Sequence, residues 1–185
     1  DIDDFAMVRK VIAGTEYPSG KATDVYMNWR PKQDKMFLYK KANNFSMYDG
    51  RVDHDGDLVL ARSGLTGSGT ISFEQAQILS QLFEFKGITL KADTSDFRLK
   101  SSDSGILALS TTNMKSFIDF DKRFGEFASN GTGSYVTFPL NQYICYIEKF
   151  KWLMDDKNVE FGMTVAAKDK TEMNIAGSEF VSINP

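Results

Sequence analysis

The residues TISFEQAQILSQLFEF, at positions 70–85, decide which fold the sequence predicts. Residues 70–73 alternate polar and apolar side chains, as a half-buried β-strand does. Residues 74–85 instead place Ile78, Leu82 and Phe85 at the spacing of one helical face, with polar side chains opposite. The stretch therefore predicts a strand that is followed by a helix.

A similar segment recurs further along the chain. Two Gly/Ser-rich stretches with linker composition, at 63–69 and 128–134, each precede a short strand pattern and a helical pattern. In the second copy the strand covers 135–138 and the helix 139–154, and the offset between copies is about 66 residues. An offset of this size is typical of an internal repeat.

Further strands are predicted after each of these helices. Ser/Asp/Thr/Gly-rich turns at 93–96 and 102–105 separate the strands of the first copy. The predicted strands cover residues 88–92, 97–100 and 106–109 in the first copy and 159–166, 172–175 and 180–183 in the second.

The N-terminal third fits the same scheme less closely. Residues 2–13 read as a helix with Phe5, Val8 and Ile12 on one face, but the strand expected before this helix is missing, so the chain is either cut there or has an atypical first unit. Strands are expected at 25–30, 36–40, 45–48 and 58–61.

The sequence therefore predicts three strand–helix–three-strand units, at 1–62, 68–125 and 133–185. We expect an α+β fold in which the units form antiparallel sheets with helices on one face. The first two units would form one domain over 1–127. The third, at 133–185, would be half of a second domain or a truncated one.

Composition narrows the class of protein. Apolar residues make up 42% of the chain and charged residues 25%, which is typical of a folded globular protein. The net charge of −3 provides no general attraction for nucleic acid. Because Cys145 is the only cysteine and no signal peptide is evident, we expect a soluble, cytoplasmic protein.

The repeated organisation resembles that of the DNA sliding clamps. The stretch that carries the resemblance runs from residue 70 to residue 124: a strand and a helix, then ITLKAD at 88–93, DFRLKS at 96–101, a turn, ILAL at 106–109 and FIDF at 117–120. The likeness is one of pattern, because clamps have no short invariant motif. Complete clamp subunits have four or six such units, whereas this sequence shows three.

The resemblance implies a polymerase processivity factor rather than an enzyme. Such a protein would form a homo-oligomeric ring around duplex DNA, bind it without sequence specificity, and contact a DNA polymerase or clamp loader without any cofactor. Its DNA-facing residues would be Arg9, Lys10, Lys149 and Lys151 on the inner helices. The alternative is a non-catalytic phage structural or interaction protein that reuses the same repeat, and a carboxylate hydrolase is a third hypothesis.

The other candidate sites favour structural interpretations. Asp53, Asp55 and Asp57 have alternate spacing, but the glycine and glutamate of a calcium loop are out of place, so a polar hairpin is expected. His54 lies in this segment with no evident catalytic partner, and Cys145 is expected to be a buried apolar residue. The sequence predicts no metal site.

Four aromatic residues raise one more alternative. Tyr26, Trp29, Phe37 and Tyr39 suggest stacking against a single-stranded nucleic acid. Alternation along strands explains most of them as core or sheet-face residues.

Overall fold

The computed structural model describes residues 1–102, 104–156, 158–162 and 180–182. In these residues the chain forms strands and one short 3-10 helix at Pro31–Gln33. The strands are β1 (Ile2–Met7), β2 (Lys10–Ile12), β3 (Thr15–Tyr17), β4 (Gly20–Arg30), β5 (Lys35–Lys40), β6 (Phe45–Met47), β7 (Val52–Ala61), β8 (Gly64–Phe73), β9 (Ala76–Phe85), β10 (Thr89–Lys100), β11 (Leu107–Thr112), β12 (Met114–Asp119), β13 (Phe124–Ser129), β14 (Tyr135–Phe138), β15 (Tyr143–Cys145), β16 (Lys149–Leu153), β17 (Asn158–Gly162) and β18 (Phe180–Ser182).

The predicted α+β class is wrong, because none of the three expected helices forms. Residues 2–13 contribute β1 and β2, residues 74–85 contribute β9, and residues 139–154 contribute β15 and β16. Strands account for 68% of the described residues and helix for 2%. The protein is therefore an all-β structure with no helical layer in the described residues.

The helical pattern of residues 74–85 comes from a β-bulge. Side chains at Ala76, Ile78 and Ser80 are buried, and burial then resumes one residue late at Phe83 and Phe85. On the neighbouring strand β8, the register shifts between Gly67 and Gly69, so β9 has one extra residue at this point. Over so short a stretch, apolar residues that alternate along a strand and then shift by one position resemble the 3.6-residue spacing of a helical face.

Residues 139–154 show a comparable shift. Cys145 and Ile147 are buried before residues 148–149, and Phe150, Trp152 and Met154 are buried after them. Each half alternates with a period of two, but together they imitate a helical stripe. Pairing of β15 with β14 and of β16 with β13 provides the hydrogen bonds that stabilise the extended form.

The Gly/Ser-rich residues 63–69, predicted as a linker, lie almost entirely in β8. Gly56 of β7 is paired with Gly69, and a Cβ added at Gly56 would lie 1.9 Å from the carbonyl oxygen of Ser68. The glycines therefore allow two strands to approach closely. Similarly, residues 93–96, predicted as a turn, lie inside β10.

One long antiparallel sheet organises the molecule. Its central path runs β1-β4-β5-β7-β8-β9-β10, with β6 bridging β4 and β7, and the hairpin of β2 and β3 is separate. At β10 the sheet divides, because residues 89–95 pair with β12 and residues 98–100 pair with β11. One branch continues through β13, β16 and β17, and the other through β14, β15 and β18.

The two branches face each other across the core. The Phe138 ring centroid, on β14, lies 5.8 Å from that of Phe161 on β17, and the Phe97 centroid, on the shared strand β10, lies 4.2 Å from that of Phe127 on β13. The expected domain boundary between residues 127 and 133 falls between β13 and β14, which both belong to this sheet. The buried residues on either side of it belong to a single hydrophobic core.

Candidate functional site: an apolar cleft

The inner face of the sheet extends further than the elements that cover it. Leu38, Leu58 and Leu65, on β5, β7 and β8, are fully buried on this face. Nearer the β4–β5 turn, Met36 and Leu60 are only partly buried. The hydrophobic core therefore opens to solvent at this end.

The opening is an apolar cleft of about 640 Å³. Its walls come from the end of β1, the β2–β3 hairpin, and strands β4, β5 and β7. The side chains that line it are mostly aliphatic, aromatic or thioether groups. They are Phe5, Ala6, Met7, Val8, Lys10, Ile12, Tyr17, Met27, Trp29, Asp34, Met36, Leu60, Ala61 and Arg62.

The side chain of Tyr17 anchors the β2–β3 hairpin beside the cleft. The Tyr17 hydroxyl lies 2.8 Å from the carbonyl oxygen of Ala61 and 3.0 Å from that of Arg62. This contact joins the hairpin to the β7–β8 turn. The hairpin itself reverses at Ala13 and Gly14, which both have positive φ as a tight type I′ turn requires.

The mouth of the cleft combines exposed apolar groups with charges. Val8 is 67% exposed and Trp29 is 48% exposed. Lys10 and Arg62 also line the mouth, and the Arg62 Nε lies 3.6 Å from a carboxylate oxygen of Asp34. This ion pair is solvent-exposed and contributes little to stability.

The four residues predicted to face DNA lie on strands or next to them. Arg9 and Lys10 are at the start of the hairpin, where Arg9 Nη1 is 3.9 Å from an Asp121 carboxylate oxygen. Lys149 and Lys151 are on β16, and the Lys151 Nζ lies 4.4 Å from the centre of the Phe124 ring. Strand β2 pairs with β3, and β16 pairs with β13 and β17, so no ladder among the described strands joins the two pairs of cations directly.

The acidic segment of the chain lies on β7. Asp53, Asp55 and Asp57 alternate along its exposed face, and Lys40 forms an ion pair with Asp55. Across the described ranges there is no group of three or more His, Cys, Asp or Glu residues that could hold a metal ion.

His54 and Cys145 are both buried. The His54 Nε2 lies 3.2 Å from the carbonyl oxygen of Asp57, and its ring packs against those of Phe45, Phe83 and Phe85. Burial lowers the pKa of His54 and raises the pKa of the Cys145 thiol. Neither side chain is accessible to a substrate.

The four aromatic residues of β4 and β5 lie on opposite faces of the sheet. Tyr26, Phe37 and Tyr39 contact one another on the outer face, where the Arg30 guanidinium lies 4.2 Å from the Phe37 ring centre. Trp29 points to the inner face and lines the cleft. They therefore do not form one stacking platform.

Comparisons with known proteins identify no relative: no family model, curated protein or solved structure matches this chain. Within the described residues, no helix has the length and apolarity needed to cross a bilayer.

Sequence reasoning missed the cleft. Alternation of Met27, Trp29, Met36 and Leu38 indicates one apolar face of a hairpin, and this signal is visible in the sequence. That the face is left partly uncovered depends on where β1 and the β2–β3 hairpin pack. No local pattern contains that information.

Proposed function

We propose that this chain is a non-catalytic binding protein that holds the hydrocarbon chain of an amphiphile in the apolar cleft. The observation that carries the proposal is the cleft itself, an opening of the hydrophobic core lined mostly by apolar side chains. Its volume of about 640 Å³ lies within the usual range of small-molecule sites.

The chemistry of the lining favours a flexible apolar ligand. Met7, Met27 and Met36 contribute thioether side chains that adapt to ligand shape. The Tyr17 hydroxyl is already engaged with backbone carbonyl groups and is not free to orient a polar ligand. Recognition would therefore come from buried apolar area rather than from hydrogen bonds.

The charges at the mouth favour a negatively charged head group. Lys10 and Arg62 line the opening, with Asp34 as the carboxylate beside them. An alkyl carboxylate or an alkyl phosphate satisfies both requirements, because its chain fits the apolar walls and its head group can meet a cation at the rim.

A binding role also agrees with the state of the reactive side chains. His54 and Cys145 are buried. Burial lowers the pKa of His54 and raises the pKa of Cys145, so it favours the neutral form of both side chains. The sliding-clamp hypothesis stays a prediction, but the inner helices on which it depended are strands. The cytoplasmic location proposed from the single cysteine is compatible with a lipid-binding role.

Titration of saturated fatty acids of increasing length against the protein tests this function. Chain binding should blue-shift the emission of the half-exposed Trp29, whereas Trp152 is already buried. Each added methylene should improve affinity by roughly fourfold, equivalent to about 0.8 kcal/mol, until the cleft is full. No spectral or calorimetric response to any chain length would refute the proposal.

A pair of variants provides the control. Val8 and Val11 are both 67% exposed, but only Val8 lines the cleft. Val8→Asp should weaken dodecanoate binding by at least about tenfold, because it places a charge against the chain. Val11→Asp makes the same charge change nearby and should leave binding within about twofold. Equal losses in the two variants would contradict a site in the cleft.

A further inference from the structure

The end of the molecule that carries the cleft mouth has a local excess of positive charge. The β4–β5 turn adds three exposed cations to the two that line the cleft, and the carboxylate of Asp34 lies among them. The five cations are Lys10, Arg30, Lys32, Lys35 and Arg62. The whole chain has a net charge of −3, so this surface differs in sign from the molecule as a whole.

Register places these cations at one end of the sheet. Lys35 is paired with Arg30 on one side and with Ala61 on the other, so the β4–β5 turn lies beside the β7–β8 turn. The ion pair between Arg62 and Asp34 joins the same two turns. Glu16, on the hairpin, also lies near the β7–β8 turn, in a pocket with Ser63 and Gly64, so the five cations are set against two carboxylates, Asp34 and Glu16.

Exposed apolar side chains occupy the same end. Val8, Ile12 and Trp29 are each about half exposed or more, and all three line the mouth of the cleft. An exposed tryptophan beside aliphatic groups, with Lys and Arg at the same end of the sheet, matches the interfacial zone of a bilayer in polarity. Each Lys or Arg near an anionic leaflet adds to the electrostatic attraction.

We propose that this end docks on a bilayer that contains anionic phospholipid and presents the cleft to the acyl chains of those lipids. This inference rests on the proposed function, since it names the source from which the cleft takes its ligand. Charge complementarity supplies the attraction, and Val8, Ile12 and Trp29 enter the head-group region.

A nucleic acid is the less favoured occupant of this surface. A polyanion would use the cations but would leave the aliphatic groups at the mouth exposed to water. The aromatic rings that could stack on bases, Tyr26, Phe37 and Tyr39, are on the outer face and contact one another.

Vesicle flotation tests the docking surface. The protein should float with vesicles of phosphatidylcholine and phosphatidylglycerol, should not float with phosphatidylcholine alone, and should be released by salt. The double variant Lys32→Glu/Lys35→Glu should weaken vesicle binding by at least about tenfold. The control Lys115→Glu/Lys149→Glu makes the same charge change on β12 and β16 and should bind as the unmodified protein does.

Two readouts separate this inference from the proposed function. Lys32 and Lys35 do not line the cleft, so their double variant should bind dodecanoate in solution normally. Normal dodecanoate binding without vesicle binding would overturn the docking surface alone. Vesicle binding without dodecanoate binding would support the docking surface and refute the cleft function. Binding of a single-stranded oligonucleotide, lost in the same variant while vesicles are ignored, would assign the surface to nucleic acid and overturn the inference.

Discussion

The hydroxyl of Ser80 lies 2.7 Å from the carbonyl oxygen of Thr94, and this hydrogen bond ties together two adjacent β-bulges. The same hydroxyl oxygen accepts a hydrogen bond of 3.1 Å from the Leu82 N–H. The β9 bulge lies at residues 81–82, and the β10 register against β12 shifts between Ala92 and Ser95. Strand β9 has one extra residue relative to β8, and β10 has one extra residue relative to β12, at neighbouring positions. The pairing between β9 and β10 therefore keeps the same register on both sides of the bulges.

Replacement of Ser80 tests whether this contact stabilises the paired bulges. Ser80→Ala should lower the free energy of unfolding by about 1–2 kcal/mol, because the Leu82 N–H and the Thr94 carbonyl lose a partner next to the core. Urea denaturation measures the loss. In the control Ser72→Ala, only one 3.3 Å bond from Gln77 is removed, and we expect a change below about 0.5 kcal/mol. Similar losses in both variants would exclude a special role for Ser80.

The close approach of β7 and β8 makes a second prediction. Gly56→Ala should destabilise the protein by at least about 2 kcal/mol, because the new methyl group meets the Ser68 carbonyl oxygen of the paired strand, which cannot move as a side chain does. Thermal denaturation followed by circular dichroism gives the comparison. Gly162→Ala, in a strand position where no described residue comes within 4 Å of the new Cβ, is the matched control and should be nearly neutral. A neutral Gly56→Ala would show that the two strands separate easily.

The buried imidazole of His54 predicts a dependence of stability on pH. A carbonyl oxygen only accepts, so the neutral ring carries its proton on Nε2 towards Asp57, and Nδ1 has no partner among the described residues. Burial lowers the pKa of His54 in the folded state. The unfolded chain therefore binds a proton near pH 6.5 that the folded chain does not, and protonation favours unfolding.

The free energy of unfolding should fall as the pH drops below about 6.5, with a slope of up to about 1.4 kcal/mol per pH unit, until the lowered pKa of the folded state is reached. Urea titrations between about pH 7.5 and pH 5 measure this slope. Most carboxylates titrate below about pH 5, so they contribute little over this interval. In His54→Leu the slope should disappear over this interval. A slope that persists in the variant would assign the effect to other groups.

Several strands were predictable because their patterns are local. Residues 25–30 and 36–40 are rich in aromatic and aliphatic side chains and lie in β4 and β5, and residues 135–138 form β14. The predicted strand at 172–175 lies outside the described residues, as do parts of those at 159–166 and 180–183. The Gly/Ser-rich stretches that were predicted as linkers were ambiguous, since residues 130–134 connect β13 to β14 whereas residues 64–69 lie in β8.

By itself, the sequence determined that the chain has one buried cysteine, a large apolar fraction and alternating apolar positions, because these depend on composition and on neighbours along the chain. Tertiary structure decided the rest. The bulge at Ser80 made period-two burial look helical, and it is recognisable only when β8 and β10 are paired with β9. The cleft likewise exists because Tyr17 holds the β2–β3 hairpin beside the β7–β8 turn and leaves Trp29, Met36 and Leu60 partly uncovered. The pairing of strands and the covering of one sheet face by a hairpin both bring together residues that are distant in sequence. A local sequence pattern does not specify which of these residues meet.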